Sequence, residues 1–220
     1  MDKGIDLSLY VVTDAGLARG RSHLEIVRAA IAGGVTVVQY REKEATTRRM
    51  VEEARELREL CCEARVPFIV NDRLDVALAV DADGVHVGQD DMPAFLARKL
   101  IGPERILGVS VSTVKEALQA EQDGADYISA SPVFSTPTKP DAPQPTGLEG
   151  LRAIVATVRQ PVVAIGGINA SNAAQVIRAG AGGVAVVSAI VAAEDVESAA
   201  RELRAVVEAA KKKQAKERGD

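Results

Sequence analysis

Asp72 and Asp91 each follow a short apolar run, Phe68-Ile69-Val70-Asn71 before the first and Gly84-Val85-His86-Val87 before the second. Both runs have the length and composition of buried strands. Leu74 to Ala82, between them, is a helix-length connection rich in Ala, Leu and Val. A strand–helix–strand unit makes its two strands parallel neighbours, so both aspartates emerge at the same end of the sheet. Two carboxylates converging on one mouth repel each other unless a cation sits between them. Oxygen donors select a hard ion, and Mg2+ is the natural one where a phosphorylated ligand supplies further oxygens. Taken singly, either aspartate could be a helix cap or a solvated loop charge, so the rest of the chain has to decide.

Gln39, Arg41 and Lys43 alternate at the end of another strand-like run, VTVVQYR, which puts them on one face. Two cations beside a bidentate amide suit a phosphate-bearing ligand and a ring with a donor–acceptor edge. Ser110, with Ser112 two residues on, ends a further strand. The stretch from Ser129 to Pro140 is dense in hydroxyls, Thr136 and Thr138 among them. It carries Lys139 and is stiffened by three prolines, the makings of a phosphate clamp or lid. Gly166-Gly167 and Val187-Ser188 close two later strands, where glycine lets backbone N–H groups approach a phosphate. The residues thus describe two anion sites. One is metal-assisted, around Arg41, Lys43, Asp72 and Asp91; the other is backbone-lined, around Gly167 and Ser188.

His86 alternates with Val85 and Val87 and reads as a packed core histidine, while His23, near a helix start, reads as a cap or an exposed residue. No Ser-His-Asp or Cys-His arrangement is suggested. Two phosphorylated reactants without an acid–base dyad point to substitution with diphosphate as leaving group.

Positioning these residues takes many strands. Expected strands are 7–13, 35–41, 67–72, 84–88, 105–111, 126–133, 161–165 and 183–187. Helical stretches lie between them, notably 23–32, 46–65, 93–100, 113–122, 148–159 and 171–179, with a last one from 196 to about 210. Strict strand–helix alternation implies a parallel sheet. Eight repeats in 220 residues, near the roughly 250 typical of the fold, point to one α/β domain over 1–220, a closed (β/α)8 TIM barrel. An open doubly wound sheet is the weaker alternative, since it has fewer strands and leaves edges to protect. The charged tail at about 211–220 reads as a solvated, frayed helix end. In such barrels the chemistry sits at the C-terminal mouth, where all the residues above emerge.

Apolar residues make up 47% of the chain and aromatics 3%, so the core is built from Val, Ile, Leu and Ala. A net charge of −4 provides no global field for nucleic acid or anionic membrane. No run approaches the ~20 apolar residues of a membrane span, and no apolar leader follows Met1. Cys61 and Cys62 are adjacent, cannot form a disulfide framework, and read as two small helix-packing residues. The expectation is a cytoplasmic protein with small-molecule partners; the sequence leaves a homo-oligomer open.

The chain resembles the thiamine phosphate synthase family. The matching stretches are VTVVQYREK (35–43), FIVNDRLDVALAVDADGVHVGQDDMP (68–93), ILGVSVST (106–113), SPVFSTPTKPDA (131–142), TGLEGL (146–151) and VVAIGGINASNAAQVIRAGAGGVAVVSAI (162–190). The resemblance implies joining of 4-amino-5-hydroxymethyl-2-methylpyrimidine diphosphate to 4-methyl-5-(2-phosphoethyl)thiazole by Mg2+-assisted dissociative substitution. It implies that Gln39 and Asn71 position the pyrimidine diphosphate, with Arg41, Lys43, Ser110 and Lys139 on the leaving group. Asp72 and Asp91 would hold the metal. Thr136, Thr138, Gly167, Val187 and Ser188 would hold the thiazole phosphate. Tyr40 stands where the family often has Leu, on the outward side of its strand, and Ser131 where Gly-Pro is usual. Two rivals are a thiazole tautomerase-like isomerase, which uses a histidine in the strand-five neighbourhood that Ser112 occupies here, and a non-catalytic thiamine-phosphate-binding barrel, which would not need both aspartates.

Overall fold

A computed structural model describes residues 4–136, 138 and 144–218. Its strands are β1 (Leu9–Val12), β2 (Val37–Tyr40), β3 (Phe68–Asn71), β4 (Gly84–Val87), β5 (Ile106–Val111), β6 (Tyr127–Ala130), β7 (Val162–Ala164) and β8 (Gly183–Val186). Between them run α1 (His23–Ala32), α2 (Thr47–Ala64), α3 (Leu74–Ala79), α4 (Ala94–Ile101), α5 (Val114–Gln122), α6 (Gly147–Thr157) and α7 (Ala173–Arg178). The short α8 (Ser188–Val191) and the long α9 (Val196–Arg218) follow. β1 to β8 pair in sequence order, all parallel, and β8 returns to β1, so the sheet is a closed (β/α)8 barrel. Closure removes the open edges that a doubly wound sheet would leave.

The strands alternate with period two. Tyr10, Val37, Ile69, Ile106, Tyr127 and Val163 fill the barrel interior. Their neighbours Val11, Val38, Val70, Leu107 and Ile128 pack outward against helix residues such as Ile26, Leu57, Ala97 and Leu151. Local signals set the helix starts. Ser22 and Glu25 form a reciprocal capping box before α1, Thr46 accepts from the N–H of Arg49, and Thr113 from that of Glu116. Most strand ends fall one or two residues short of expectation and β6 stops three residues early, while the starts of β4 and β8 and the end of β5 coincide with it; ladder pairing stops where the chain turns into the loops.

The C-terminal stretch departs from expectation. Instead of fraying near Ala210, α9 continues to Arg218. Lys211 Nζ donates to Ser8 Oγ, and Gln214 Nε2 donates to the carbonyl of Ile177 at 3.0 Å, so the charged end lies along the barrel. Cys61 is buried as foreseen, but Cys62 is exposed. No helix among the described residues is long and apolar enough to cross a membrane.

Candidate active site

A cavity of about 610 Å³ opens at the C-terminal ends of the strands. β2 and the loop after it send Gln39, Arg41 and Lys43 into it, while Glu42 and Glu44, the alternate residues, are not among its lining. Arg41 is held in place: its Nη1 donates to Asp14 Oδ2 at 2.6 Å, and its N–H donates to Thr13 Oγ1 at 3.0 Å. Asp14 follows β1 and orients a cation that follows β2.

The carboxylates meet as the strand spacing required. β3 and β4 are paired neighbours, with Asn71 opposite His86. Asp72, one residue past β3, adopts a left-handed backbone at φ 59°, a conformation that Asn and Asp tolerate better than other side chains. Its N–H donates to the His86 carbonyl at 2.8 Å, and its Oδ2 accepts from Lys43 Nζ at 2.5 Å. Asp91 Oδ2 accepts from the N–H of Gly88 at 2.7 Å. Burial, and then the neighbouring Asp72 carboxyl, raise the Asp91 pKa above the ordinary carboxylate value, against the Gly88 N–H and Lys43. The donor set is oxygen throughout, which suits a hard divalent ion.

Below the mouth runs a chain of buried hydrogen bonds. Gln39 Nε2 donates to the Tyr10 hydroxyl at 2.7 Å, and the Tyr10 and Tyr127 hydroxyls lie 2.7 Å apart. Tyr127 is 2.9 Å from His86 Nδ1, and His86 Nε2 is 2.8 Å from Ser110 Oγ. Burial lowers the His86 pKa to about 4 and raises both phenols, so all three rings are neutral near pH 7. One assignment gives every donor in the chain an acceptor. Tyr10 donates to Tyr127, Tyr127 to His86 Nδ1, and His86 Nε2–H to Ser110. Ser110 then accepts from below and keeps its own proton for a ligand in the cavity. Gly108 makes room for the arrangement, since a Cβ there would stand 2.1 Å from the Tyr127 ring and 2.5 Å from His86 Nδ1.

The opposite wall is made by the loops after β6, β7 and β8. Thr136, Thr138, Gly167, Val187 and Ser188 all line the cavity. Gly167 has φ 63°, and a Cβ on it would lie 2.6 Å from the Ser135 carbonyl oxygen, so this loop needs glycine for both backbone and space. Asn172 Nδ2 donates to the Gly167 carbonyl at 2.9 Å and fixes the turn. Ser131 also lines the cavity, and Ser112 is tied to Glu116 by its N–H at 2.6 Å and its hydroxyl at 3.0 Å.

The model of the family described as thiamine monophosphate synthase matches residues 9–190. The chain belongs to the thiamine monophosphate synthase family. It is 66% identical over 209 residues to the thiamine-phosphate synthase of Chloroflexus aurantiacus, covering 95% of this chain and 96% of that one. To the thiamine-phosphate synthase of Moorella thermoacetica it is 59% identical over 205 residues, 93% and 98% of the two chains. The structure of thiamine phosphate pyrophosphorylase from Pyrococcus furiosus superposes with a TM-score of 0.87 at 50% identity, over 94% of this chain and 98% of that one. As a thiamine monophosphate synthase family member, the protein is a transferase of thiamine biosynthesis.

In this thiamine monophosphate synthase barrel the twelve described site residues expected from sequence all line the one cavity: Gln39, Arg41, Lys43, Asn71, Asp72 and Asp91, then Ser110, Thr136, Thr138, Gly167, Val187 and Ser188. Lys139 lies outside the described residues. Of the two histidine expectations, the one for His23 needs correction. His86 is buried, as expected, yet it also lines the cavity and holds Ser110. His23 neither caps α1, which Ser22 does, nor is exposed; it is 8% exposed and faces Glu42 at 3.3 Å. Tyr10, Tyr127 and Asp14 join the site only in the folded barrel. Tyr10 and Tyr127 carry a faint signal, as two of the chain's three tyrosines, each within a buried strand.

Proposed function

We propose that this mouth couples 4-amino-5-hydroxymethyl-2-methylpyrimidine diphosphate to 4-methyl-5-(2-phosphoethyl)thiazole, giving thiamine phosphate and diphosphate. The observation that carries the proposal is the convergence of Arg41 and Lys43 with Asp72 and Asp91 in a cavity large enough for two rings. In the reaction the C–O bond between the pyrimidinylmethyl carbon and diphosphate breaks, and its electron pair leaves with the diphosphate. The thiazole nitrogen lone pair then forms the new C–N bond. No proton has to move, which accounts for a mouth without an acid–base dyad.

Gln39 and Asn71 orient the pyrimidine diphosphate, and the electron-rich aminopyrimidine itself stabilises the cation. Arg41, steadied by Asp14, meets the leaving group together with Lys43, Ser110 and Lys139, so that positive charge and donors face the oxygens that become negative. The free proton of Ser110, oriented from below by His86, is aimed for that purpose. Asp72 and Asp91 would hold Mg2+. The fit rests on their oxygen donors, two carboxyl groups side by side in the mouth with the Lys43 ammonium on one of them. When bound, the ion neutralises charge on the departing diphosphate. Thr136, Thr138, Gly167, Val187 and Ser188 seat the thiazole and its phosphate across the cavity, facing the pyrimidine.

The test is to strip the protein with chelator, supply both phosphorylated precursors, and add Mg2+ back. Thiamine phosphate formed only after Mg2+ addition is expected; its absence at every Mg2+ concentration would overturn the assignment.

A further inference from the structure

Glu42 stands between Arg41 and Lys43, the two cations of the mouth, yet it is absent from the cavity lining. Its Oε1 accepts from the backbone N–H of Glu44 at 2.7 Å and of Ala45 at 3.2 Å, folding the chain after β2 into a tight turn. Its Oε2 lies 3.3 Å from His23 Nε2, and both side chains are 8% exposed. His23 is itself fixed. It begins α1 behind the Ser22–Glu25 capping box, and its ring meets Tyr40 edge-on, centroids 5.1 Å apart. Tyr40 donates its hydroxyl to Glu53 Oε2 at 2.7 Å, and Arg49 Nε donates to Glu53 Oε1 at 2.8 Å.

Ligand atoms of His23, Glu42 and Glu53 fall within 4.8 Å of one another. All four carboxylate oxygens are nevertheless engaged, by two backbone amides, His23, Tyr40 and Arg49. Two hydrogen-bonded pairs, His23 with Glu42 and Tyr40 with Glu53, thus meet at the edge-on contact of the His23 and Tyr40 rings and join α1, α2 and the turn after β2. Lys43 gains most from this arrangement: its side chain is about half exposed and is held at its tip by Asp72, so the turn sets the point from which it reaches into the mouth.

We propose that His23 is a positioning residue for diphosphate binding. Through Glu42 it fixes the turn that directs Arg41 and Lys43 into the cavity. This rests on the mouth being a diphosphate site and adds a residue from the outer helical layer to it. Loss of one buried, charge-assisted hydrogen bond leaves Glu42 without its partner and loosens the turn, weakening diphosphate binding by about tenfold.

The experiment compares wild type, His23→Leu, His23→Gln and Glu42→Gln. It uses calorimetric binding of inorganic diphosphate in magnesium chloride, the KM for each substrate, and the melting temperature. His23→Leu is expected to weaken diphosphate binding and raise the KM for the pyrimidine diphosphate about tenfold, leaving the KM for the thiazole phosphate within about twofold. His23→Gln, which keeps a donor, restores most of the binding. Glu42→Gln, which keeps the backbone amides satisfied, weakens it about threefold and serves as the test if His23→Leu does not fold. Unchanged diphosphate binding in His23→Leu or Glu42→Gln would overturn the proposal. So would equal losses for both substrates that follow the melting temperature. A wild type that fails to bind diphosphate would overturn the account of the mouth, and this proposal with it.

Discussion

The hydroxyls of Tyr10 and Tyr127 meet 2.7 Å apart inside the barrel, although 117 residues separate them in sequence. Through this contact Gln39 and Ser110, on opposite sides of the mouth floor, belong to one hydrogen-bonded chain. Tyr127→Phe removes the link, leaving Tyr10 without an acceptor and His86 Nδ1 without a donor. Because the site is buried, the expected cost is about 1–3 kcal/mol in urea unfolding. Turnover should fall as well, since His86 no longer holds Ser110. Undiminished stability and turnover would mean that the chain is incidental.

Asp72 and Asp91 are best tested as asparagines. Asn tolerates the left-handed backbone at residue 72, whereas Ala there adds roughly 1–2 kcal/mol of backbone strain that confuses the result. Each Asn variant should keep a melting temperature at or above wild type, because one of two repelling carboxylates is gone. Coupling should drop by about a hundredfold or more. Near-wild-type Mg2+-dependent turnover would refute the metal assignment.

Gly167→Ala probes the other wall. The new Cβ meets the Ser135 carbonyl and Phe134, at 2.6 and 2.8 Å in the unrelaxed structure, on a backbone that disfavours L side chains. The expected result is about 1–2 kcal/mol of lost stability and a raised KM for the thiazole phosphate, with a smaller effect on the pyrimidine diphosphate. A larger effect on the pyrimidine side would invert the assignment of the two anion sites.

The adjacent cysteines should behave differently. Burial pushes the Cys61 thiol up to about 12, so it is neither accessible nor ionised at pH 8. Cys62 is exposed. Iodoacetamide at pH 8 should therefore label the native protein once, at Cys62, as read by peptide mass spectrometry. Label at Cys61 would show that α2 opens under native conditions.

Much of this architecture is visible in the chain because parallel barrel strands are buried on both faces and read as unbroken apolar runs. Ordinal position then assigns each strand end to the mouth, which is why Asp72, Asp91 and Ser188 could be gathered before any coordinates. Contacts created only by closure were not visible. Nothing near Tyr10 in sequence announces Tyr127, and the Val85-His86-Val87 alternation places the His86 ring without naming its partners. Asp14 reads in sequence as the end of a strand, and its pairing with Arg41 depends on β1 lying beside β2. The tail is solvated as its charge implies, with Lys212, Lys213, Lys216 and Glu217 exposed, but it stays helical rather than fraying, because Lys211 and Gln214 find partners on the barrel.

The central claim is that one mouth joins two phosphorylated rings at the expense of a diphosphate leaving group. The direct measurement counts both products against pyrimidine diphosphate consumed, with thiazole phosphate and Mg2+ present. Thiamine phosphate and diphosphate should appear together, one of each per pyrimidine consumed, and neither should accumulate in the Asp91→Asn protein. Diphosphate released without thiamine phosphate, or no product from the wild type, would contradict it.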